Sequence, residues 1–202
     1  MEDPAERVRG LLHRHERVVL GLCGPPGAGK STLAQRVVET VGPEAVVVPL
    51  DGFHLQDEEL TRLGLLHLKG APDTFDAAGY LALLRRIRQQ RDRTIYAPSF
   101  DRTREVSLAG AIPVLPTHRL IVTEGNYLLL DTPVWREVRN ELTECWFLCG
   151  DDDRRRNRLV ARHLQHGRDR ASAEAWMSRT DEPNAVLVAA TRDRADLVLD
   201  PG

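Results

Sequence analysis

The chain has 202 residues, of which 42% are hydrophobic and 29% are charged. This composition is typical of a soluble globular protein, and the length predicts a single domain over residues 1–202 that can bury a sizeable core. The formal net charge of −2 does not indicate a broadly basic, nucleic-acid-binding surface. No segment approaches the roughly 18 consecutive apolar residues of a membrane span.

The cysteines and the N-terminus indicate the compartment. Cys23, Cys145 and Cys149 are odd in number and show neither zinc-site spacing nor a redox pair. Because Cys23 and Cys149 end apolar runs, we expect buried free thiols there, which suit a reducing compartment. The N-terminal Met-Glu-Asp-Pro is acidic and lacks the apolar core of a signal peptide. These features predict a cytoplasmic protein with no nucleic-acid or membrane partner.

Short apolar runs alternate with helical patterns along the chain. Helices are predicted at 4–17, 30–41, 76–90, 133–142, 151–166 and 172–190, and strands at 18–23, 45–50, 120–123, 145–149 and 195–199. Residues 55–75 are rich in loop formers, and residues 94–114 are irregular, with short strands. Because the strands are continuous apolar runs separated by helices, the pattern predicts a parallel sheet covered on both faces.

A phosphate-binding loop follows the first strand. The segment GPPGAGKS, residues 24–31, fits the pattern G-x-x-x-x-G-K-S/T between a strand and a helix. Its glycines let backbone amides face phosphates, and the next helix adds its positive N-terminal end. Lys30 is expected to reach the β- and γ-phosphates of ATP and Ser31 to bind Mg²⁺. The predicted nucleotide-binding residues are Gly24, Pro25, Pro26, Gly27, Ala28, Gly29, Lys30, Ser31 and Thr32.

Two carboxylates follow neighbouring apolar strands. The carboxyl ends of parallel strands meet at one crevice, so Asp51 and Glu124 should lie near the phosphate-binding loop. Asp51 suits a base for an acceptor hydroxyl or a ligand of Mg²⁺, but it also suits the start of a turn before Gly52. Glu124 ends its strand where a carboxylate holds the metal or its water. The predicted metal site is therefore Ser31 and Glu124.

The segment 151–170 begins with acids and continues with arginines. Arg154, Arg158 and Arg162 share one helical face, since they are four residues apart. A row of like charges predicts an anion opposite it, such as the phosphates of ATP. The order of acids before bases also fits a solvated helix that compensates its dipole. His163 and His166 have no acid or cysteine at ligand spacing, so no metal site is predicted there.

The phosphate-binding loop, LDGFHL, KGAPDTFD, TEGNY and DDDRRRNRLVARHLQHGR together resemble the uridine kinase, pantothenate kinase and phosphoribulokinase superfamily, over residues 18–199. The resemblance implies a three-layer α/β/α P-loop NTPase fold with a mostly parallel five-stranded sheet. It also implies a helical lid near 151–170 and an acceptor-side insert near 52–115. In this family Asp51 corresponds to the catalytic base, and Arg158, Arg162 and, more weakly, Arg168 correspond to lid arginines that close over the phosphates.

The acceptor residues follow from the same resemblance. KGAPDTFD is most similar to a pantothenate kinase segment, and YAPSFDR resembles a segment that borders the acceptor pocket. The implied acceptor-side residues are Asp51, Phe53, His54, Lys69, Asp101 and Arg102. Three alternatives remain open at this point. Lys69 is equally well explained as an exposed loop lysine, His54 as a structural residue, and Asp101 and Arg102 as a pair with each other.

These features predict an ATP- and Mg²⁺-dependent kinase that phosphorylates a hydroxyl of a small nucleoside- or sugar-type acceptor. Short members of the family include fructokinase-like proteins. A pantothenate kinase-like activity is one alternative. A nucleotide-binding regulator or GTPase without phosphotransfer is another, although neither lysine of the chain lies in an Asn/Thr-Lys-x-Asp guanine motif. The resemblance also implies that a homodimer can form.

Overall fold

The computed structural model describes residues 3–165, 167 and 169–200. Within these residues the strands are β1 (Val18–Cys23), β2 (Ala45–Val47), β3 (Ile95–Asp101), β4 (Val106–Val114), β5 (Leu120–Glu124), β6 (Glu144–Leu148) and β7 (Leu197–Leu199). Five of them form a central parallel sheet in the order β2-β5-β1-β6-β7. The predicted five-stranded parallel sheet is therefore confirmed.

Helices cover both faces of this sheet. Their bounds are α1 (Pro4–Arg14), α2 (Lys30–Val41), α3 (Asp57–Leu63), α4 (Ala77–Gln89), α5 (Pro133–Asn140), α6 (Asp152–Gln165), α7 (Arg170–Trp176) and α8 (Glu182–Ala189). Buried side chains of α1 and α2 belong to one hydrophobic cluster, and those of α4 and α5 to another. Every residue of β1 and β5 is buried, which explains why these strands lack polar alternation.

The segment 94–114 was predicted to be irregular with short strands, and it forms a hairpin of β3 and β4. The two strands pair antiparallel, apart from the main sheet, with a register shift between Ala97 and Ser99. Much of β4 is exposed, so it carries no apolar face that a sequence pattern would reveal. Pro98 and Pro113 lie within the strands, where proline normally argues against a sheet.

Other differences lie at the edges of elements. The segment 55–75 was predicted as loop but contains α3, a short, charged helix. The predicted helix at 172–190 is divided into α7, a π-helical stretch at Met177–Asp181 and α8. Cys23 is a buried free thiol as predicted, whereas Cys149, also predicted to be buried, is only half-buried; Cys145 is a buried free thiol as well. None of the helices found in the described part of the chain has the length and apolar character needed to cross a membrane.

Candidate functional site

A cleft of about 370 Å³ opens at the carboxyl ends of β1, β2 and β5, where ligands of parallel sheets bind. The loop after β1 and the start of α2 form its floor. The turns after β2 and β5 form one side, and the tip of the β3–β4 hairpin borders it. Helix α6 and residues 176–184 form the opposite wall. The topology thus gathers residues from most of the predicted motifs into one site.

The P-loop, residues 24–31, connects β1 to α2 and packs against α6. Gly27 has φ +80°, which a residue with a side chain rarely adopts. A Cβ at Gly27 would lie 2.9 Å from the backbone oxygen of Arg155 and 2.9 Å from Cγ of Leu159. Glycine is therefore required both for the turn and for the close approach of helix α6 to the loop.

Lys30 is buried at the head of this loop, with 7% of its surface exposed. Its Nζ donates hydrogen bonds to the carbonyl oxygens of Gly24 (2.9 Å) and Pro25 (3.0 Å) and to Oδ1 of Asn126 (2.7 Å). Burial lowers the pKa of Lys30, while the nearby Glu124 carboxylate opposes this shift. The ammonium is thus oriented by three acceptors at the place where phosphates bind in such loops.

Ser31 and Glu124 lie side by side, as the predicted metal site requires. Ser31 Oγ donates to Glu124 Oε1 at 2.9 Å, and Glu124 is 7% exposed. Burial, reinforced by the Asp51 carboxylate, raises the pKa of Glu124. A hydroxyl and a carboxylate fit Mg²⁺, which keeps several waters and takes further oxygens from phosphates. The described residues contain no cluster of three His, Cys, Asp or Glu side chains that would hold an ion alone.

Asp51 lies in a single 3₁₀ turn, Leu50–Phe53, directly after β2. Its Oδ2 accepts a hydrogen bond from the guanidinium of Arg102, which the β3–β4 hairpin carries. Both residues line the cleft. The alternative in which Asp101 pairs with Arg102 is therefore wrong: Oδ1 of Asp101 instead accepts from the backbone amide of Thr103 at 2.9 Å and caps the hairpin turn.

The two aromatic candidates after Asp51 have different surroundings. Phe53 packs edge-on against Tyr80, with ring centroids 5.3 Å apart, and is not among the residues that line the cleft. His54 lines the cleft and lies between the rings of Phe75 (4.0 Å) and Phe100 (4.9 Å). Burial lowers the pKa of His54 to about 4, and its Nδ1 has no hydrogen-bond partner among the described residues. His54 is thus neutral at physiological pH.

Lys69 lines the same side of the cleft and is not an exposed loop lysine. Its side chain is 12% exposed and forms salt bridges with Asp57 (2.6 Å) and Glu105 (2.7 Å). Although burial alone would lower it, the two carboxylates raise the pKa of Lys69 above its ordinary value. The alternative of a solvated lysine is therefore wrong.

Helix α6 presents two of the predicted lid arginines to the cleft. Arg158 donates to the carbonyl oxygen of Gly27 at 3.5 Å, and Arg162 lies one turn further along the helix. Burial, together with the positive charge of Arg102, lowers the pKa of Arg162. Arg168 and His166 lie outside the described residues. Arg154 is exposed and does not line the cleft.

Arg155, which the sequence did not single out, anchors the lid helix. It is 4% exposed and forms salt bridges with Asp152 (2.9 Å) and Glu182 (2.6 Å). It also donates to the carbonyl oxygen of Pro26 at 3.4 Å. This side chain therefore ties α6 to the P-loop and to α8, and its role is to position the helix.

Sequence reasoning also missed several polar residues that line the cleft, among them Asn126, Asp181 and Asn184. Asn126 follows Glu124 within the TEGNY motif and binds Lys30. Asp181, at the end of the π-helical stretch, lies 2.8 Å from Nε2 of His163. Asn184 donates to the carbonyl oxygen of Gly70 at 3.3 Å. Asn126 had a local signal, its place in a quoted motif.

No protein-family model matches the chain. A Schizosaccharomyces pombe protein whose name proposes a uridine kinase is 38% identical over 200 residues, which cover 94% of this chain and 85% of the relative. A pantothenate kinase of Mycolicibacterium vanbaalenii is 27% identical over 207 residues, or 90% of this chain and 66% of that protein.

A solved structure shares both sequence and fold with the chain. It is a Silicibacter sp. TM1040 protein whose name proposes a kinase of a fructose transport system, and it is 36% identical with a TM-score of 0.88. The match covers 98% of this chain and 100% of that one. The chain therefore belongs to the P-loop kinases of the uridine kinase, pantothenate kinase and phosphoribulokinase superfamily, and it is a phosphotransferase that acts on an alcohol group.

Proposed function

We propose that this kinase transfers the γ-phosphoryl group of ATP, with Mg²⁺ bound, to a hydroxyl of a small nucleoside- or sugar-type acceptor. One observation carries the proposal. The Asp51 carboxylate lies in the same cleft as Lys30 and the Ser31–Glu124 pair. A base for a hydroxyl thus shares one cleft with the groups that hold a triphosphate and its cation, which phosphoryl transfer requires.

The residues have separate roles in this reaction. P-loop amides and Lys30 hold the β- and γ-phosphates, and Ser31 and Glu124 would hold Mg²⁺ or its water. Mg²⁺ neutralises charge that develops on the phosphoryl oxygens. Asp51 accepts the proton of the acceptor hydroxyl, whose oxygen forms the new bond to phosphorus as the bond to ADP breaks.

Charged side chains around the cleft assist this step. Arg102 orients the Asp51 carboxylate through its hydrogen bond. Arg158 and Arg162 offset negative charge on the transferred group from the lid side. Because Arg162 is partly buried and has a lowered pKa, its charge is most stable with an anion in the cleft.

The walls of the cleft support a small acceptor with both a flat and a polar surface. His54, Phe75 and Phe100 offer ring faces, while Asp181 and Asn184 offer hydrogen-bonding groups. The cleft of about 370 Å³ is shared by the acceptor and the phosphates of ATP, so the acceptor must be small. Names that propose kinases for uridine and in fructose transport, given to the relatives, agree with this class.

The test is an acceptor-dependent assay of ADP release with a panel of nucleosides, sugars and pantothenate. We expect at least one nucleoside or sugar to stimulate release. Asp51→Asn should lower kcat with that acceptor about 10²- to 10⁴-fold, the usual contribution of a general base, while ATP still binds. Asp73→Asn is the matched control, because Asp73 is exposed outside the cleft.

Three results would contradict the proposal or a part of it. If no member of the panel stimulates ADP release, the acceptor class is wrong. If pantothenate alone does so, the pantothenate kinase-like alternative is correct. Unchanged turnover in Asp51→Asn would remove Asp51 as the base, whatever the acceptor.

A further inference from the structure

The acceptor half of the cleft, lined by Asp51, His54, Lys69, Arg102 and Glu105, contains two cationic side chains. Both are already paired with carboxylates of the protein. Arg102 binds Asp51, and Lys69 binds Asp57 and Glu105. His54, the third basic residue, is neutral because burial holds its pKa at about 4.

The two carboxylates that pair with Lys69 come from separate elements of the fold. Asp57 begins helix α3, and Glu105 lies in the turn of the β3–β4 hairpin. Glu105 has φ +55°, the one positive value among the described residues other than glycine. Such a conformation costs energy for a residue with a Cβ. The hairpin adopts this backbone conformation at Glu105, the position from which a carboxylate reaches Lys69. Together, Lys69, Asp57 and Glu105 carry a net negative charge.

The cations of the cleft without a carboxylate salt bridge are Lys30 on its floor and two arginines of the lid helix. Arg158 and Arg162 belong to the lid helix and form no salt bridge with any residue that the structure describes. Arg158 contacts the P-loop, and Arg162 lies near Lys30 and Glu124 as well as Asp51. On the same wall Asp181 adds a carboxylate, which lies against His163 of the lid helix. Apart from Lys30 and these two arginines, which the proposed function assigns to the phosphates of ATP, no described residue that lines the cleft offers an unpaired cation.

We infer that the phosphoryl acceptor carries no negative charge, and that Asp57 and Glu105 determine this specificity by neutralising Lys69. The inference rests on the proposed function and narrows its acceptor class. An uncharged polyol or nucleoside leaves every ion pair of the site intact. An acceptor with a carboxylate would meet like charges, while the unpaired cations of the cleft are engaged by the phosphates of ATP, a juxtaposition that lowers affinity strongly. Removal of the two acids would turn Lys69 into a binding site for such a carboxylate.

Pairs of acceptors in which a neutral hydroxymethyl group replaces a carboxylate test this inference. Suitable pairs are pantothenol and pantothenate, and glycerol and glycerate. For the wild type we expect kcat/KM to favour the neutral member about tenfold or more, the size of one close charge repulsion near a protein surface. In the double variant D57N/E105Q the ratio of kcat/KM for the neutral member to kcat/KM for the anionic member should fall about tenfold.

Glu58→Gln is the matched control for the double variant. Glu58 lies beside Asp57 in the first turn of α3, is exposed and does not line the cleft, so the variant removes a nearby charge without freeing Lys69. The ratio in this control should equal that of the wild type. A wild-type preference for the anionic member, or a double variant that matches Glu58→Gln, would overturn the inference.

A binding measurement decides the state of Lys69 without turnover. The chain has two lysines, Lys30 and Lys69, so protein labelled with ¹³C-lysine gives two ε-methylene signals. Pantothenate should shift the Lys69 signal in D57N/E105Q and leave it unchanged in the wild type. A shift in the wild type, or none in the double variant, would overturn the inference. If instead no acceptor releases ADP, the proposed function fails, and this signal still reports whether Lys69 is available to an anion.

Discussion

Lys30 Nζ donates a 2.7 Å hydrogen bond to Oδ1 of Asn126, so the P-loop is joined to the segment that follows β5. The other hydrogen bonds of the ammonium go to carbonyls of the loop itself. Because burial already lowers the pKa of Lys30, the neutral amide of Asn126 orients the ammonium without cancelling its charge. A carboxylate at this position would compete with the phosphates of ATP.

Asn126→Ala should therefore weaken ATP binding. A hydrogen bond to a charged group contributes about 1.5–3 kcal/mol, so the dissociation constant should rise about tenfold or more. Asn126→Asp should weaken binding further, since a new carboxylate would pair with Lys30. Calorimetric titration with ATP and Mg²⁺ measures both effects. Unchanged affinity in the alanine variant would show that the 2.7 Å contact does not position Lys30.

Glu124→Gln should stabilise the protein when Mg²⁺ is absent. Burial raises the pKa of Glu124, so between its ordinary pKa of about 4.3 and the raised value the folded state binds more protons than the unfolded state. The free energy of unfolding therefore falls as pH rises through this window. At neutral pH the ionised carboxylate destabilises the fold, and glutamine removes that cost.

The measurement is the melting temperature of wild type and Glu124→Gln across pH, with and without Mg²⁺. Without the ion, the variant should melt higher at pH 7, by about 2–4 °C for each kcal/mol, and the difference should vanish near pH 4. Mg²⁺ should raise the melting temperature of the wild type and have a smaller effect on the variant. A variant that melts lower at pH 7 without Mg²⁺ would contradict the assigned direction of the pKa shift.

Much of the site was predictable because its signals are local. The P-loop is a contiguous pattern between a strand and a helix, and Asp51 and Glu124 each follow a continuous apolar run. The parallel sheet then places these strand ends together without further information. Asp51 remained ambiguous from the residues alone, because a turn-forming Asp before Gly52 looks the same.

The partners of these residues were not predictable, because they are set by contacts between distant segments. Lys69 meets Glu105 only because an exposed hairpin with little apolar pattern returns to the cleft. Asp181 reaches His163 through a π-helical stretch that a 3.6-residue period does not indicate. Phe53 satisfied a family motif, yet it packs into the core against Tyr80. Motif position predicts the backbone location of a residue and leaves its side-chain direction open.

Gly27→Ala should weaken ATP binding through a steric clash with the lid helix, in addition to straining the backbone. The new methyl group would lie 2.9 Å from the backbone oxygen of Arg155 and would push helix α6 from the loop. Gly42→Ala is a matched control, because Gly42 has a similar φ of +83° and a Cβ there would meet no atom within 4 Å. Both variants should lose about 1–3 kcal/mol of stability to backbone strain, measured by urea unfolding.

Only Gly27→Ala should raise the dissociation constant for ATP, by about tenfold if one well-made contact between lid and loop is lost. The difference between the two alanine variants therefore isolates the contact with α6 from the cost of the backbone angle. Equal ATP affinity in Gly27→Ala and Gly42→Ala would show that packing of the lid helix on the loop does not contribute to nucleotide binding.

Arg155 and Arg162 lie two turns apart on the lid helix. We expect substitution of Arg155 to lower stability and substitution of Arg162 to lower turnover. Arg155→Ala removes a buried guanidinium and its 2.6 Å contact with Glu182, although Glu182 keeps Arg156 as a partner at 3.1 Å, so we expect a loss of about 1.5–3 kcal/mol for a hydrogen bond between charged groups. Arg162→Ala removes a charge that burial disfavours, so its melting temperature should equal or exceed that of the wild type. Its kcat should fall about 10²-fold or more, because a group that offsets transition-state charge is lost. Thermal melting and steady-state assays on both variants check this, and a destabilised Arg162→Ala with normal kcat would assign Arg162 to the scaffold.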